Sequence, residues 1–180
     1  MTRTLTGVLA FVALLLSGTA AQAGESVLPF HATLQVIQDC EASPDSDQCG
    51  NFPDWLATCR AQGYDYAFQG LRTGYADFMG KVTSFEQGCL HFSGPGGLAR
   101  SYVQLTIKGR NGDTLTLFAA GVFDFAQANV PATGTYSISG GTGRFAGARG
   151  SGTTGNVTSG GNPGSTIYLD GSLRLPHGQH

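Results

Sequence analysis

The sequence predicts an all-β protein: an eight-stranded antiparallel β-barrel with one short helix in an N-terminal, disulfide-bonded insert. Three observations carry this. Apolar and polar residues alternate with the period of two that a half-buried strand requires, in run after run from Val27 to Leu175. Clusters of Gly, Pro and Asn separate the runs at regular spacing, and glycine is abundant, at 28 of 180 residues. Outside the N-terminal segment a helical apolar face occurs once, so the strands lack crossover helices and must form an antiparallel sheet that closes on itself or sandwiches.

The chain opens on a targeting pattern. Met1 to Thr6 carry one charge, Arg3; GVLAFVALLL follows as an apolar run, and SGTAAQA places Ala21 and Ala23 around Gln22. A basic start, a short apolar stretch and an A-x-A site make a secretory signal peptide over residues 1–23, with cleavage expected after Ala23. A transmembrane anchor would need roughly 20 apolar residues, about twice this run. The expected product is a secreted or periplasmic protein, one domain over residues 24–180, with no membrane span. Arg3 leaves with the signal, so fewer than ten basic residues face 12 acidic ones. That acidic balance excludes the basic footprint of a nucleic-acid binder.

VLPFHATLQVIQ, from Val27 to Gln38, puts Phe30, Ala32, Leu34 and Val36 on one side and His31, Thr33 and Gln35 on the other, as a strand does. The segment 39–63 interrupts the pattern. Its first part, DCEASPDSDQCGN, is an acidic loop; its second, FPDWLATCRAQG, is a helix with Asn51 as cap, Pro53 and Asp54 in the first turn and Gly63 at the stop. Trp55, Leu56 and Cys59 give that helix a short apolar face fit to cover a sheet.

YDYAFQGL resumes the alternation, with Tyr64, Tyr66 and Phe68 opposed to Asp65, Ala67 and Gln69. GYADFMGKVTSFEQGCLHFSG predicts two short strands broken by glycines, and Gly94-Pro95-Gly96-Gly97 a turn. SYVQLTIKG and DTLTLFAAGVFDF flank Arg110-Asn111-Gly112-Asp113, where Asn-Gly between alternating runs is a strong hairpin signal. GTYSIS, RFAGARGSGTTGNV and STIYLDGSLRL complete the set.

Four cysteines, Cys40, Cys49, Cys59 and Cys89, lie early in the exported chain. An even count implies two disulfides, with three connectivities open. The preferred one joins Cys40 to Cys49 across the acidic loop and Cys59 to Cys89 between helix and sheet. No C-x-x-C redox or zinc pattern occurs.

The candidate sites follow from chemistry. Gly141-Thr142-Gly143-Arg144-Phe145-Ala146 satisfies G-x-G-x-x-A, but a phosphate loop must open a helix whose first amides meet the anion. GARGSGTTGNV has no helical period, so the glycines predict a hairpin followed by a bent strand. Asp45-Ser46-Asp47-Gln48-Cys49-Gly50 starts like a calcium loop, yet Cys49 replaces the third ligand and Leu56 stands where Glu is required. Asp39, Glu41, Asp45 and Asp47 therefore predict a solvated loop, and no metal or cofactor is expected. His31 and His91 are separate strand positions, and His177 and His180 are terminal. G-x-S-x-G, H-E-x-x-H and Walker patterns do not occur. A barrel of about eight strands is filled by its own side chains or holds one small ligand. If it is hollow, the expected lining aromatics are Phe68, Phe118, Phe123, Tyr136, Phe145 and Tyr168; if it is filled, the same residues are core.

Gly140 to Gly150, GGTGRFAGARG, resembles the GGTGxFxxARG stretch of plant dirigent proteins and is similar to the corresponding hairpin of allene oxide cyclases. GTYSISGGTGRFAGARGSG more closely resembles a largely uncharacterised group of secreted bacterial proteins of this allene oxide cyclase/dirigent-like barrel superfamily, in which TGYADFMGKVTS and NGDTLTLFAAG also have counterparts. The resemblance implies an eight-stranded antiparallel barrel, often a homotrimer, with a cavity at one end in the plant enzymes. Arg149 matches the ARG arginine and is the one catalytic candidate it suggests. Arg144 stands where several dirigent proteins carry an acid, and the Cys40–Cys59 insert is not theirs.

Three functions fit these readings. The leading one is a non-enzymatic barrel binding a small apolar molecule or a partner surface. The others are a dirigent- or cyclase-like catalyst steering a ring closure or coupling in the lumen, and a filled barrel acting through its surface.

Overall fold

The computed structural model describes residues 26–39, 52–93, 98–124, 132–158 and 165–176. Residues 1–25 (the expected signal peptide among them), Cys40, Cys49, most of the acidic loop, the expected Gly94–Gly97 turn, Phe125, His177 and His180 lie outside them. Eight strands form one closed antiparallel barrel in sequence order: β1 (Ser26–Asp39), β2 (Tyr66–Ala76), β3 (Gly80–Phe92), β4 (Leu98–Gly109), β5 (Thr114–Asp124), β6 (Ala132–Gly141), β7 (Arg149–Thr158) and β8 (Ser165–Leu175). Each pairs with its sequence neighbours, and β1 closes the ring on β8, from Ser26 opposite Leu175 to Gln35 opposite Thr166. Closure leaves no unpaired sheet edge among the described strands.

The period of two decides what enters the lumen. On β1, Phe30, Ala32 and Leu34 are buried while His31, Thr33 and Gln35 are exposed. The paired rows repeat this around the ring with Val82, Leu105, Ile107, Leu115, Leu117, Tyr136, Ile138, Leu169 and Leu173 in one cluster. Register slips by one residue at Ile37 and again at Ser139. Such bulges bend the strand and increase its twist, as a closed barrel needs.

Two strands differ from the sequence expectation. The glycines of β2 and β3 do not break them; each runs uninterrupted through Gly70 and Gly74, or through Gly88. The missing side chain serves packing instead. A Cβ at Gly88 would fall 2.0 Å from the Phe68 ring, which lies across it inside the barrel. Nor is β2 half-buried near its start. The lumen covers one face, and helix α1 (Phe52–Ala61) covers the other, so Ala67 and Gln69 are buried as well.

That helix packs outside the barrel on β2 and β3. Trp55, Leu56 and Tyr64 close over buried Cys59, Ala67 and Cys89, and the Trp55 indole N–H donates to the Gly88 carbonyl at 3.0 Å. The Cys59–Cys89 disulfide joins helix to strand.

One barrel end is plugged by the glycine-rich hairpin. Between β6 and β7 the chain makes one 3-10 turn, Gly143–Phe145, which drives Phe145 into the lumen beside Ala148. Gly143 has φ +58°, and a Cβ there would strike the Asp113 carboxylate, so both conformation and space demand glycine. Arg144 extends the plug sideways: it donates to the Phe78 carbonyl in the β2–β3 turn, pairs with Asp113 in the β4–β5 turn at 3.5 Å, and lies over the Phe145 ring. The hairpin thus ties three loops together, and its glycines form scaffold, not a phosphate cradle.

Candidate functional site

The lumen is filled unequally along its length. Toward the hairpin end it holds Phe30, Phe145, Ile107, Leu115 and Leu173, all fully buried. Toward the opposite end the inward rows of β4 to β7 carry Ser101, Ala119, Gly121, Gly134, Thr154 and Asn156. Small side chains there leave a recess of about 40 Å³, floored by Leu105, Leu117 and Leu169 and walled by Val103, Ala119 and Ile167. That is room for roughly three water molecules. Its walls are almost wholly apolar, with Ser101, Thr133, Thr154 and Asn156 as the polar residues among them.

A chain of polar side chains meets the recess at Asn156 and runs from there to β2 and β3. Arg72 on β2 and Glu86 on β3 form an ion pair at 2.7 Å, each side chain only 4% exposed. The register places Arg72 opposite Ser84, and Glu86 opposite Leu105 of the recess floor. The Arg72 guanidinium also donates to the Ser165 carbonyl at 3.0 Å and to its hydroxyl at 3.2 Å. Ser165 donates in turn to Asn156 Oδ1 at 3.1 Å, a recess residue. Arg72 Nε, Glu86 Oε2 and Ser84 Oγ are buried with no hydrogen-bond partner in the protein. Buried charges normally have their hydrogen-bonding capacity filled, so three orphaned atoms side by side are unusual.

Deeper in the lumen Tyr136 packs edge-on against Phe30, its hydroxyl above Gly171, where a Cβ would come within 2.7 Å of it. That hydroxyl is also buried without a partner. Burial, reinforced by the Asp170 carboxylate, pushes its pKa up to about 12. On the outer surface His31 sits between two carboxylates, its Nδ1 2.8 Å from Asp77 and its Nε2 3.5 Å from Asp170. The Asp77 hydrogen bond raises the imidazole pKa, against partial desolvation and with help from Asp170.

The residues singled out in the sequence are dispersed. Phe68 and Tyr136 face the lumen, Phe145 forms the plug, and Phe118 stacks on Tyr102 on the outer face, centroids 5.8 Å apart. Tyr168 is exposed, and the Phe123 side chain lies outside the described residues. Arg149 is exposed at the plugged end, where it donates to the Ser139 carbonyl at 2.5 Å and to the Ala148 carbonyl at 3.0 Å, spanning its own hairpin. His91 pairs with Asp65 at 3.0 Å. Among the described residues no three His, Cys, Asp or Glu side chains gather as a metal site, and no helix is long and apolar enough to cross a membrane.

Arg72, Glu86, Ser84 and Ser165 escaped sequence reasoning. A signal existed: Arg72 and Glu86 hold the same strand parity as Gly74, Ala76 and Val82, a charge on a row otherwise small or apolar. Reading it required knowing that this parity faces inward. No protein-family model, curated protein or solved structure matches the chain.

Proposed function

We propose that this protein is an exported barrel that binds a small apolar ligand, or the apolar end of a larger one, in the lumen recess away from the hairpin plug. One observation carries the reading: the change in side-chain size along the β4 to β7 side of the lumen, from Phe, Leu and Ile to Ala, Gly, Ser and Thr. Small residues in a core cost stability unless the space is closed by collapse or used, because protein interiors otherwise pack like organic crystals. Support also comes from the hairpin resembling that of barrels with a cavity at one end, and from the Cys59–Cys89 disulfide, which suits an oxidising compartment.

The test is occupancy. 1-Chlorobutane titrated into the protein should produce saturable shifts in the methyl resonances of Leu105, Leu117, Ile167 and Leu169. Ala119→Leu, which fills the recess from β5, should weaken binding at least tenfold while the protein remains folded. A wild-type protein without saturable shifts would overturn the reading. Non-denaturing mass spectrometry of protein taken directly from its host should then reveal the natural ligand as added mass.

A further inference from the structure

Charges on the outer surface are sorted by barrel end. At the plugged end Lys81, Lys108, Arg110, Arg144, Arg149 and Arg174 are all exposed. The nearest described acids are Asp77 and Asp113 in the turns and Asp170 along β8. Toward the recess end the balance reverses, with Asp39, Asp54, Asp65 and Asp124 against Arg60 and Arg100 among the described residues. A chain with a net charge of −2 thus carries a cationic cap. Register draws parts of the cap together: Val82 pairs with Gly109, which sets Lys81 beside Arg110, and Arg149 pairs directly with Arg174. Like charges opposite each other in a sheet repel, so the cap favours an anionic neighbour.

An apolar tip stands within this cap. In the β2–β3 turn Phe78 is 42% exposed and has φ +64°, the one positive φ among the described non-glycine residues. A bulky side chain is strained there, whereas glycine or asparagine fits. Three ties hold the turn in that shape: Arg144 donates to the Phe78 carbonyl, Asp77 is bonded to His31 in both directions, and Met79 is buried in the core. The fold therefore fixes an aromatic ring at the surface where a smaller residue would be easier. Tyr75, 58% exposed, stands close by on β2, opposite Lys81. Aromatic rings among Lys and Arg suit a lipid headgroup layer, with the rings toward the acyl boundary and the cations on the phosphates. A second copy of the chain would meet the cap with the same cations, and a soluble polyanion would need no exposed ring. We propose that the plugged end docks on an anionic phospholipid bilayer, with Phe78 inserted at the interface and the recess facing away from the membrane. This holds whatever the recess binds.

Sedimentation with vesicles of phosphatidylcholine alone, or mixed with phosphatidylglycerol, tests it. The mixed vesicles should bind the protein saturably, the neutral ones should not, and salt should weaken the binding. Phe78→Gly, which suits the positive φ, should keep the unfolding midpoint yet weaken vesicle binding roughly fivefold. Lys81→Glu/Arg110→Glu should abolish it. Tryptophan emission of Phe78→Trp should shift to the blue on mixed vesicles; that of the wild type, whose Trp55 packs on the barrel wall, should not. Failure to bind mixed vesicles would overturn the proposal, as would binding that Phe78→Gly leaves unchanged. Equal affinity for dextran sulfate, with no dependence on Phe78, would make the cap a general polyanion site and refute bilayer docking. A multimer that Phe78→Gly dissociates would assign the tip to self-association instead.

Discussion

Tyr136 concentrates the residue-scale energetics of the lumen. Its ring fills space above Gly171 and against Phe30, but its hydroxyl gains nothing from the fold. In an unfolded chain a tyrosine ionises near pH 10, whereas burial holds this one to about 12. Below pH ~10 both states keep the proton. As pH rises from ~10 to ~12 the unfolded state loses it first, so stability falls through that window. Two pH units correspond to about 2–3 kcal/mol. Tyr136→Phe should therefore match or exceed the wild type at neutral pH, since it removes an unpartnered buried hydroxyl, and should flatten the alkaline loss. Denaturant unfolding curves from pH 7 to 11.5 measure both effects; an unchanged alkaline slope would refute the assignment. The importance of Tyr136 was legible as an aromatic on an alternating run. Its isolation was not, because that depends on what β7 and β8 place opposite it.

Elements here are tied at defined points, and two ties are testable. On β1, the His31 backbone N–H and ring both meet Asp77 Oδ2, at 3.0 and 2.8 Å, and the Asp77 N–H donates back to the His31 carbonyl at 2.9 Å. This pins the β2–β3 turn to its neighbour. A raised histidine pKa means that the protonated form stabilises the fold. The contribution is complete below the unfolded value, near 6.5, and is lost as pH rises through the higher folded value. NMR titration of His31 should give a midpoint above 6.5, and Asp77→Asn should lower it. Helix α1 is the second case. It packs chiefly on β2 and β3, around the Cys59–Cys89 bridge. Replacing both cysteines with alanine should expose the helix amides to hydrogen exchange while the strands of β4 to β8 keep their protection. Global loss of protection would show instead that the barrel depends on the bridge. The helix was legible through its caps and its Trp55–Cys59 face. The continuity of β2 and β3 was not, because a glycine that breaks a strand and one that admits a ring are the same letter.

At the scale of the molecule, strand number, antiparallel order and the hairpin turns follow from alternation and turn chemistry, which is why the barrel was readable. The candidate site was not, for a physical reason. Arg72 and Glu86 are separated along the chain from Ser165 and Asn156, and only the β8–β1–β2 closure brings them to one side of the lumen. Which lumen end is plugged also depends on register: the hairpin resembled a ligand loop in sequence, yet folds inward as a stopper, and the recess lies toward the opposite end.

The pairing of Ser26 with Leu175 makes the barrel a ring of strands with a single nick, and that nick lies at the plugged end. A linker joining the two would seal the ring, and a new start could be cut at the Asn111–Gly112 turn, which lies at the same end. Either way, anything attached at the nick, from an affinity handle to a solid support, stands on the far side from the recess and leaves it facing the solution.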